Sequence, residues 1–145
     1  MIAGLTIRPG PPAAAVKRLL QEAQLPTADL TAGHLQNFLG YGAEDALEGV
    51  VGLELYQPVA LLRSLAVASS CRGRGVGSTL LAEAERYARS RKVKEIYLLT
   101  TTAERFFARS GYERILRDAA PAAIRETQEF SSLCPASSAF MRKRL

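Results

Sequence analysis

Residues 62–78, LRSLAVASSCRGRGVGS, constrain this chain more than any other stretch. The apolar run Leu62 to Val67 reads as a buried strand. Ala68 to Cys71 leave it, and Arg72-Gly73-Arg74-Gly75-Val76-Gly77 then places glycine at every second position. A helix begins at once, with Val76, Leu80, Ala84 and Tyr87 at helical spacing and Glu83, Arg86 and Arg89 off that stripe. A strand, a glycine loop and a helix N-terminus together make an anion site. The first helical N–H groups have no partner inside the helix, and the helix dipole adds partial positive charge. Glycines let the backbone approach a phosphate closely, while Arg72 and Arg74 add charge. The stretch predicts a phosphate-bearing cofactor at residues 72–78.

Two common phosphate folds do not fit. No Gly-Lys-Ser/Thr ends the loop, so it is not a P-loop. Gly73-x-Gly75 lacks a third glycine at Ser78, and the next strand, Ile96 to Leu99, ends in Thr100 without an acidic residue for a ribose. What remains, Arg72-x-x-Gly75-x-Gly77 after a strand ending Leu65-Ala66-Val67, resembles the acetyl-CoA loop of the GCN5-related N-acetyltransferase (GNAT) superfamily. A second block, Phe106-Phe107-x-x-x-Gly111-Tyr112, is similar to the superfamily helix carrying Phe-Tyr-x-x-x-Gly-Phe. Phe107 stands where many relatives have a tyrosine that reprotonates the departing CoA thiolate. A free thiol ionises near pH ~8.5, so a thiolate that leaves without a dedicated acid is chemically tolerable.

Composition is that of an ordinary globular chain, 48% apolar and 23% charged over 145 residues, and predicts a single domain spanning residues 1–145. No apolar stretch reaches ~18 residues, so no membrane-spanning helix is expected. The start, MIAGLTIRPG, lacks the basic and apolar regions of a signal peptide. Cys71 and Cys134 do not form a disulfide framework, which makes a reducing cytoplasm the expected setting. The net charge of +5 is spread along the chain. Arg142-Lys143-Arg144 and Arg89 to Lys94 read as solvated faces rather than a nucleic-acid surface, while a basic balance suits a protein that holds a polyanionic cofactor. His34 is the single histidine, and with two distant cysteines it makes no metal site.

Taken in order, Ile2, Leu5 and Ile7 alternate as a first strand. Pro9 to Pro12 break it, and Ala13 to Gln24 predicts a helix with Val16, Leu19, Leu20 and Ala23 on one face. Thr31 can cap a second helix over 32–39, carrying Leu35, Phe38 and Leu39. Gly40 to Gly42, Leu47 to Tyr56 and Val59 to Val67 read as strands of a meander. Lys94 to Thr100 is a further strand, and Thr100 to Glu113 reads as a strand end, a polar turn, a short helix and a glycine stop. The predicted class is mixed α/β (α+β). The superfamily resemblance implies a central, mostly antiparallel mixed sheet in which two parallel strands, 59–67 and 94–100, splay apart, with helices on its faces.

The tail narrows the resemblance. Arg117 to Pro121, Thr127 to Pro135 and Ser138 to Leu145, with Leu62 to Val67 and Leu98 to Thr102, resemble the arsenic-resistance N-acetyltransferase family over roughly residues 46–145. That resemblance implies acetyl-CoA as cofactor and acetylation of a small amine, with an arsenic-containing or phosphinothricin-like amino acid as the expected acceptor. A homodimer is a further expectation. Main-chain groups of Arg72, Gly73, Arg74, Gly75, Val76, Gly77 and Ser78 would hold the pyrophosphate. Leu65, Ala66 and Val67 would line the pantetheine, a backbone N–H there stabilising the developing oxyanion. Thr100 and Phe107 would flank it. Catalysis is then largely positioning of a neutral amine, with a group to take its proton. Glu54, on the strand beside 59–67, is the candidate base. Arg63 and Arg125 are candidates to grip a substrate oxyanion, with Thr101 beside them. Two other readings stay open on sequence alone: a protein or peptide N-acetyltransferase, and an acyl-CoA-binding sensor without turnover.

Overall fold

The structure is a computed structural model and describes residues 6–145. Seven strands form one sheet in the order β1-β2-β3-β4-β5-β7-β6. They are β1 (Ile7–Pro9), β2 (Phe38–Ala43), β3 (Ala46–Tyr56), β4 (Val59–Val67), β5 (Glu95–Thr100), β6 (Glu113–Arg114) and β7 (Ala139–Arg144). The helices are α1 (Ala13–Glu22), α2 (Ala32–Leu35), α3 (Val76–Ser90), α4 (Glu104–Arg109) and α5 (Ala122–Arg125). All pairings are antiparallel except β4 with β5. The predicted class, mixed sheet and parallel pair are therefore present. Of the first predicted strand, Ile2 and Leu5 lie outside the described residues, and Ile7 opens β1.

Alternation along the strands divides the core. Leu39, Val51, Leu53, Leu62, Ile96 and Leu98 face α3, whose buried side is Val76, Leu80, Leu81, Ala84 and Ala88. The fit is close: a Cβ at Gly49 would stand 2.8 Å from Leu80 Cδ1. On the other face, Phe38, Val50 and Ala66 pack on Val16, Leu19 and Leu20 of α1. Farther along that face Leu61, Tyr97 and Phe140 pack on Ile124 of α5. This face carries two separate apolar patches, and β3 and β4 cross the gap between them.

The second helix is shorter than its sequence predicts. It ends at Leu35, and Phe38 and Leu39 belong to β2. Phe38 turns toward α1 and Leu39 toward α3. Adjacent apolar residues suit a strand covered on both faces as well as they suit a helix. The Thr31 cap is present, its side chain accepting from His34 N at 3.2 Å.

Candidate functional site

The parallel strands pair only through Val59–Glu95, Ala60–Ile96 and Leu61–Tyr97. Beyond this β4 runs on to Val67 and β5 to Thr100, unpaired with each other. A bulge bends β4 at the same place. Val50 pairs with Ala66 and Gly52 with Arg63, so Ser64 and Leu65 together oppose Val51. Ser64 takes φ +60°, the left-handed region, and such an extra residue kinks a strand and interrupts its ladder. Where the strands part lies a cavity of about 410 Å³. Leu65 of β4, Thr100 of β5 and Thr101 just after it, Phe107 of α4, and Glu129 and Cys134 from the connection to β7 are among its walls.

The glycine loop stands at the end of β4. Gly73 and Gly75 have φ of +81° and +77°, and Gly75 is the residue that opens α3. Only glycine adopts that conformation without a steric cost. Arg72, Gly73, Arg74 and Gly75 are exposed, while Val76 is buried and ties the helix start to the core. A Cβ at Gly77 would lie 3.7 Å from both Phe106 Cζ and Val67 Cγ2, so α3, α4 and the end of β4 meet there. The residues fit a pyrophosphate: the helix has no side-chain cap, and two arginines flank an exposed left-handed turn. Leu65 and Val67 are half-buried on the side facing α4. Ala66 points to the opposite face, so only its backbone faces the gap. Thr100 Oγ1 accepts from Ala103 N at 3.0 Å and shapes the turn into α4. Phe107 is buried, edge-on to Tyr112 with ring centres 5.7 Å apart.

A charged cluster fills the gap between the two apolar patches. Arg63 pairs across the sheet with Gly52, and Glu54 with Leu61, which sets both on that face. Arg63 Nη1 bonds Asp29 Oδ2 at 2.5 Å and Glu54 Oε2 at 2.8 Å, and Nη2 bonds Asp29 Oδ1 at 2.8 Å. Arg63 Nε lies 3.1 Å from Ser64 Oγ and 3.2 Å from Glu129 Oε1. Tyr56 donates its hydroxyl to Glu54 Oε1 at 2.5 Å. His34 Nε2 stands 3.9 Å from the same oxygen. Asp29, Glu54, Arg63 and Glu129 are all buried. Burial pushes the Asp29 carboxyl up, but the Arg63 hydrogen bond and charge outweigh it and hold it below the usual range. Burial dominates at Glu129 and raises it despite Arg63. Burial and the neighbouring Glu129 push the Cys134 thiol up to about 12. Cys134 Sγ donates to Glu129 Oε2 at 3.0 Å.

These positions differ from several sequence expectations. Glu54 is buried beside Arg63 but is not a wall of the cavity. Arg63 borders the cavity, yet its fork is turned onto carboxylates instead of an open oxyanion position. Arg125 lies away from the cavity on α5 and donates to the carbonyls of Ala120 and Asp118. Thr101 is an exposed wall residue. Asp29 and Glu129 escaped sequence reasoning. Their one signal is Arg63 itself, since a guanidinium inside an apolar strand requires buried acidic partners. Asp29, His34 and Glu54 bring ligand-type atoms within 4.8 Å of one another, but Arg63 already hydrogen-bonds both carboxylates.

Comparison with known proteins agrees with this geometry. The acetyltransferase (GNAT) family model matches residues 12–116. An uncharacterised N-acetyltransferase of Chlorobaculum tepidum is 30% identical over 92 residues, 63% of this chain and 59% of that protein, less than two thirds of its length. N-acetylglutamate synthase of Neisseria gonorrhoeae, solved with coenzyme A and N-acetyl-glutamate, has a TM-score of 0.82 at 22% identity, over 100% of this chain and 36% of the synthase. Rv2747 of Mycobacterium tuberculosis, solved in complex with CoA, has a TM-score of 0.75 at 19% identity, over 97% of this chain and 99% of that one. At these identities the solved structures share the fold.

Proposed function

The chain belongs to the acetyltransferase (GNAT) family, and from that premise we propose that residues 1–145 act as one acetyl-CoA-dependent N-acetyltransferase domain for a small amine. The observation that carries this reading is the parting of β4 from β5 after Leu61 and Tyr97, next to the left-handed Gly73 and Gly75 turn. The loop 72–78 would hold the pyrophosphate on main-chain N–H groups, with Arg72 and Arg74 beside it. The pantetheine would run along Leu65 to Val67 as a substitute strand and bring the thioester into the cavity. Bound acetyl-CoA supplies the activated acyl group, and the chain supplies position and a backbone donor near Leu65. Homologous folds solved with coenzyme A support the cofactor.

The cavity favours a small acceptor over a peptide. Its volume of about 410 Å³ is at the low end of ordinary ligand sites. The connection through Leu133 to Pro135 closes one side. That connection also carries the Thr127 to Pro135 block that resembles the arsenic-resistance N-acetyltransferases, so an arsenic-containing or phosphinothricin-like amino acid is the acceptor proposed. With both arginine forks engaged, Thr101 and Thr102 at the wall are the candidates to hold its anionic end.

The test is free-thiol release from acetyl-CoA across free amino acids, including phosphinothricin and arsenic-bearing ones, and short peptides. Release with a free amino acid and none with peptides is expected. Release only with peptides would replace this reading with a peptide acetyltransferase. CoA binding without turnover on any amine would favour a sensor.

A further inference from the structure

We propose that Glu129 is the group at which the acceptor's ammonium docks and to which it gives its proton. This rests on the acetyltransferase reading above and adds the residue and the charge of the acceptor. The cluster holds three carboxylates, Asp29, Glu54 and Glu129, around one guanidinium, Arg63. The carboxylates are not equally provided for. Both Asp29 oxygens receive Arg63 N–H groups, at 2.5 and 2.8 Å. Glu54 receives Arg63 on one oxygen and Tyr56 on the other, at 2.8 and 2.5 Å. Glu129 has the longest contact with Arg63, 3.2 Å, and among the described residues its second oxygen takes only the Cys134 thiol, a weak donor. Arg117, the other guanidinium nearby, stands over the Phe130 ring at 4.5 Å and bonds the Phe130 carbonyl.

Glu129 is also the one carboxylate of the three that forms part of the cavity wall. A buried, poorly paired carboxylate facing a cavity lacks a cation, and an alkylammonium supplies one. Desolvation that raises this carboxyl brings it toward the working pH, where a general base is most effective. The groups around it are the Arg63 guanidinium, the neutral Cys134 thiol and the Asp29 and Glu54 carboxylates, with Arg117 over the adjacent Phe130 ring.

The step balances without a further reagent. One ammonium proton passes to Glu129 and then to solvent. The freed lone pair attacks the thioester carbonyl, the C–N bond forms, and the C–S bond breaks. The sulfur leaves as thiolate, the second N–H proton passes to solvent, and the thiolate takes a proton from solvent to give the free thiol.

The experiment compares Glu129→Gln with wild type by acetyl-CoA thiol release, on an alkylamine acceptor and on its alkoxyamine analogue, which is neutral at pH 7. With the alkylamine, kcat/KM should fall by about a hundredfold or more. With the analogue, which needs no deprotonation, the fall should be less than about tenfold. The wild-type profile should level off above the Glu129 ionisation, while that of Glu129→Gln keeps rising with pH until the amine itself is neutral. Equal losses on both acceptors, or an alkylamine rate within about threefold of wild type, would overturn the assignment. CoA affinity and melting temperature report whether Glu129→Gln is folded. If it is not, Glu129→Asp decides: the acid limb must move down, because Asp is more acidic by about 0.4 unit, and an unmoved limb overturns the proposal. A wild type that releases no thiol with any amine removes the acetyltransferase reading itself, and the proposal with it.

Discussion

Arg63 and Asp29 meet as a two-pronged pair, Nη1 to Oδ2 at 2.5 Å and Nη2 to Oδ1 at 2.8 Å, with both side chains buried. The pair ties the loop before α2 to the middle of β4. Removing one partner of such a pair leaves an uncompensated buried charge, and the two deletions are not equivalent. Asp29→Ala leaves Arg63 with Glu54 and Glu129, so a loss of about 3 kcal/mol is expected. Arg63→Met strands three carboxylates and should lose about 5 kcal/mol at neutral pH. Urea unfolding checks both, and part of the Arg63→Met loss should return at pH 5 as carboxylates protonate. Equal losses for the two variants would contradict this division.

Glu129 and Asp29 pull stability in opposite directions with pH. Asp29 is held low, so its contribution is present above its unfolded value of about 3.9 and is lost as pH falls through its folded one. Glu129 is held high, so its contribution is present below about 4.3 and is lost as pH rises through its folded value. Melting temperatures of wild type and Glu129→Gln should therefore diverge in favour of the variant as pH rises from 5 to 8. A constant difference over that range would show that Glu129 titrates as it does in the unfolded chain.

What could be read in the sequence is local. Leu62 to Val67, the Gly73–Gly75 loop and the stripe of α3 each announce themselves within a dozen residues, and all three are present in the fold. The charged cluster is different in kind. Arg63 and Asp29 are 34 positions apart, and a charged residue in an apolar strand says that partners exist without naming them. The extra residue at Ser64 is equally invisible, because register is decided between strands. Phe38 and Leu39 satisfied a helical stripe and a doubly covered strand alike, and tertiary packing chose the strand.

Gly75 and Gly73 share a backbone conformation but not a setting. Gly75 opens α3 at φ +77°, and Gly75→Val adds a branched side chain where the proposed pyrophosphate would approach. Calorimetry should show CoA binding weakened at least tenfold, with about 1–2 kcal/mol of strain on the fold. At Gly73, φ +81°, a Cβ would meet nothing within 4 Å beyond its chain neighbours among the described residues. Gly73→Ala should show the strain and a smaller effect on CoA. A Gly75→Val protein that binds CoA as wild type does would remove the loop from the cofactor site.

Phe107 replaces the tyrosine many relatives carry, and it sits in the cavity wall against Tyr112. The Tyr112 hydroxyl is committed to Glu85 at 3.0 Å, which with burial raises it far above neutrality, so it is not a substitute acid. A CoA thiol ionising near ~8.5 leaves readily as thiolate. Phe107→Tyr should therefore fold and change kcat by less than about threefold. A tenfold gain would mean that protonation of the leaving group limits the native enzyme.

Cys134 and Cys71 are both free thiols held in protonated form. Cys71 is raised by its hydrogen bond to Glu48 and by burial, and Cys134 by burial and Glu129, to about 12. Only the thiolate alkylates, so at pH 8 Cys134 should react with iodoacetamide about a thousandfold more slowly than an ordinary cysteine. Mass spectrometry should find the native protein essentially unlabelled after a pulse that modifies both cysteines in urea. In Glu129→Gln the charge that holds the proton is gone, and Cys134 should label faster than in wild type while Cys71 does not. Fast labelling of Cys134 in the native wild type would mean that its thiol is not bonded to Glu129, and that the carboxylate is oriented some other way in the cavity.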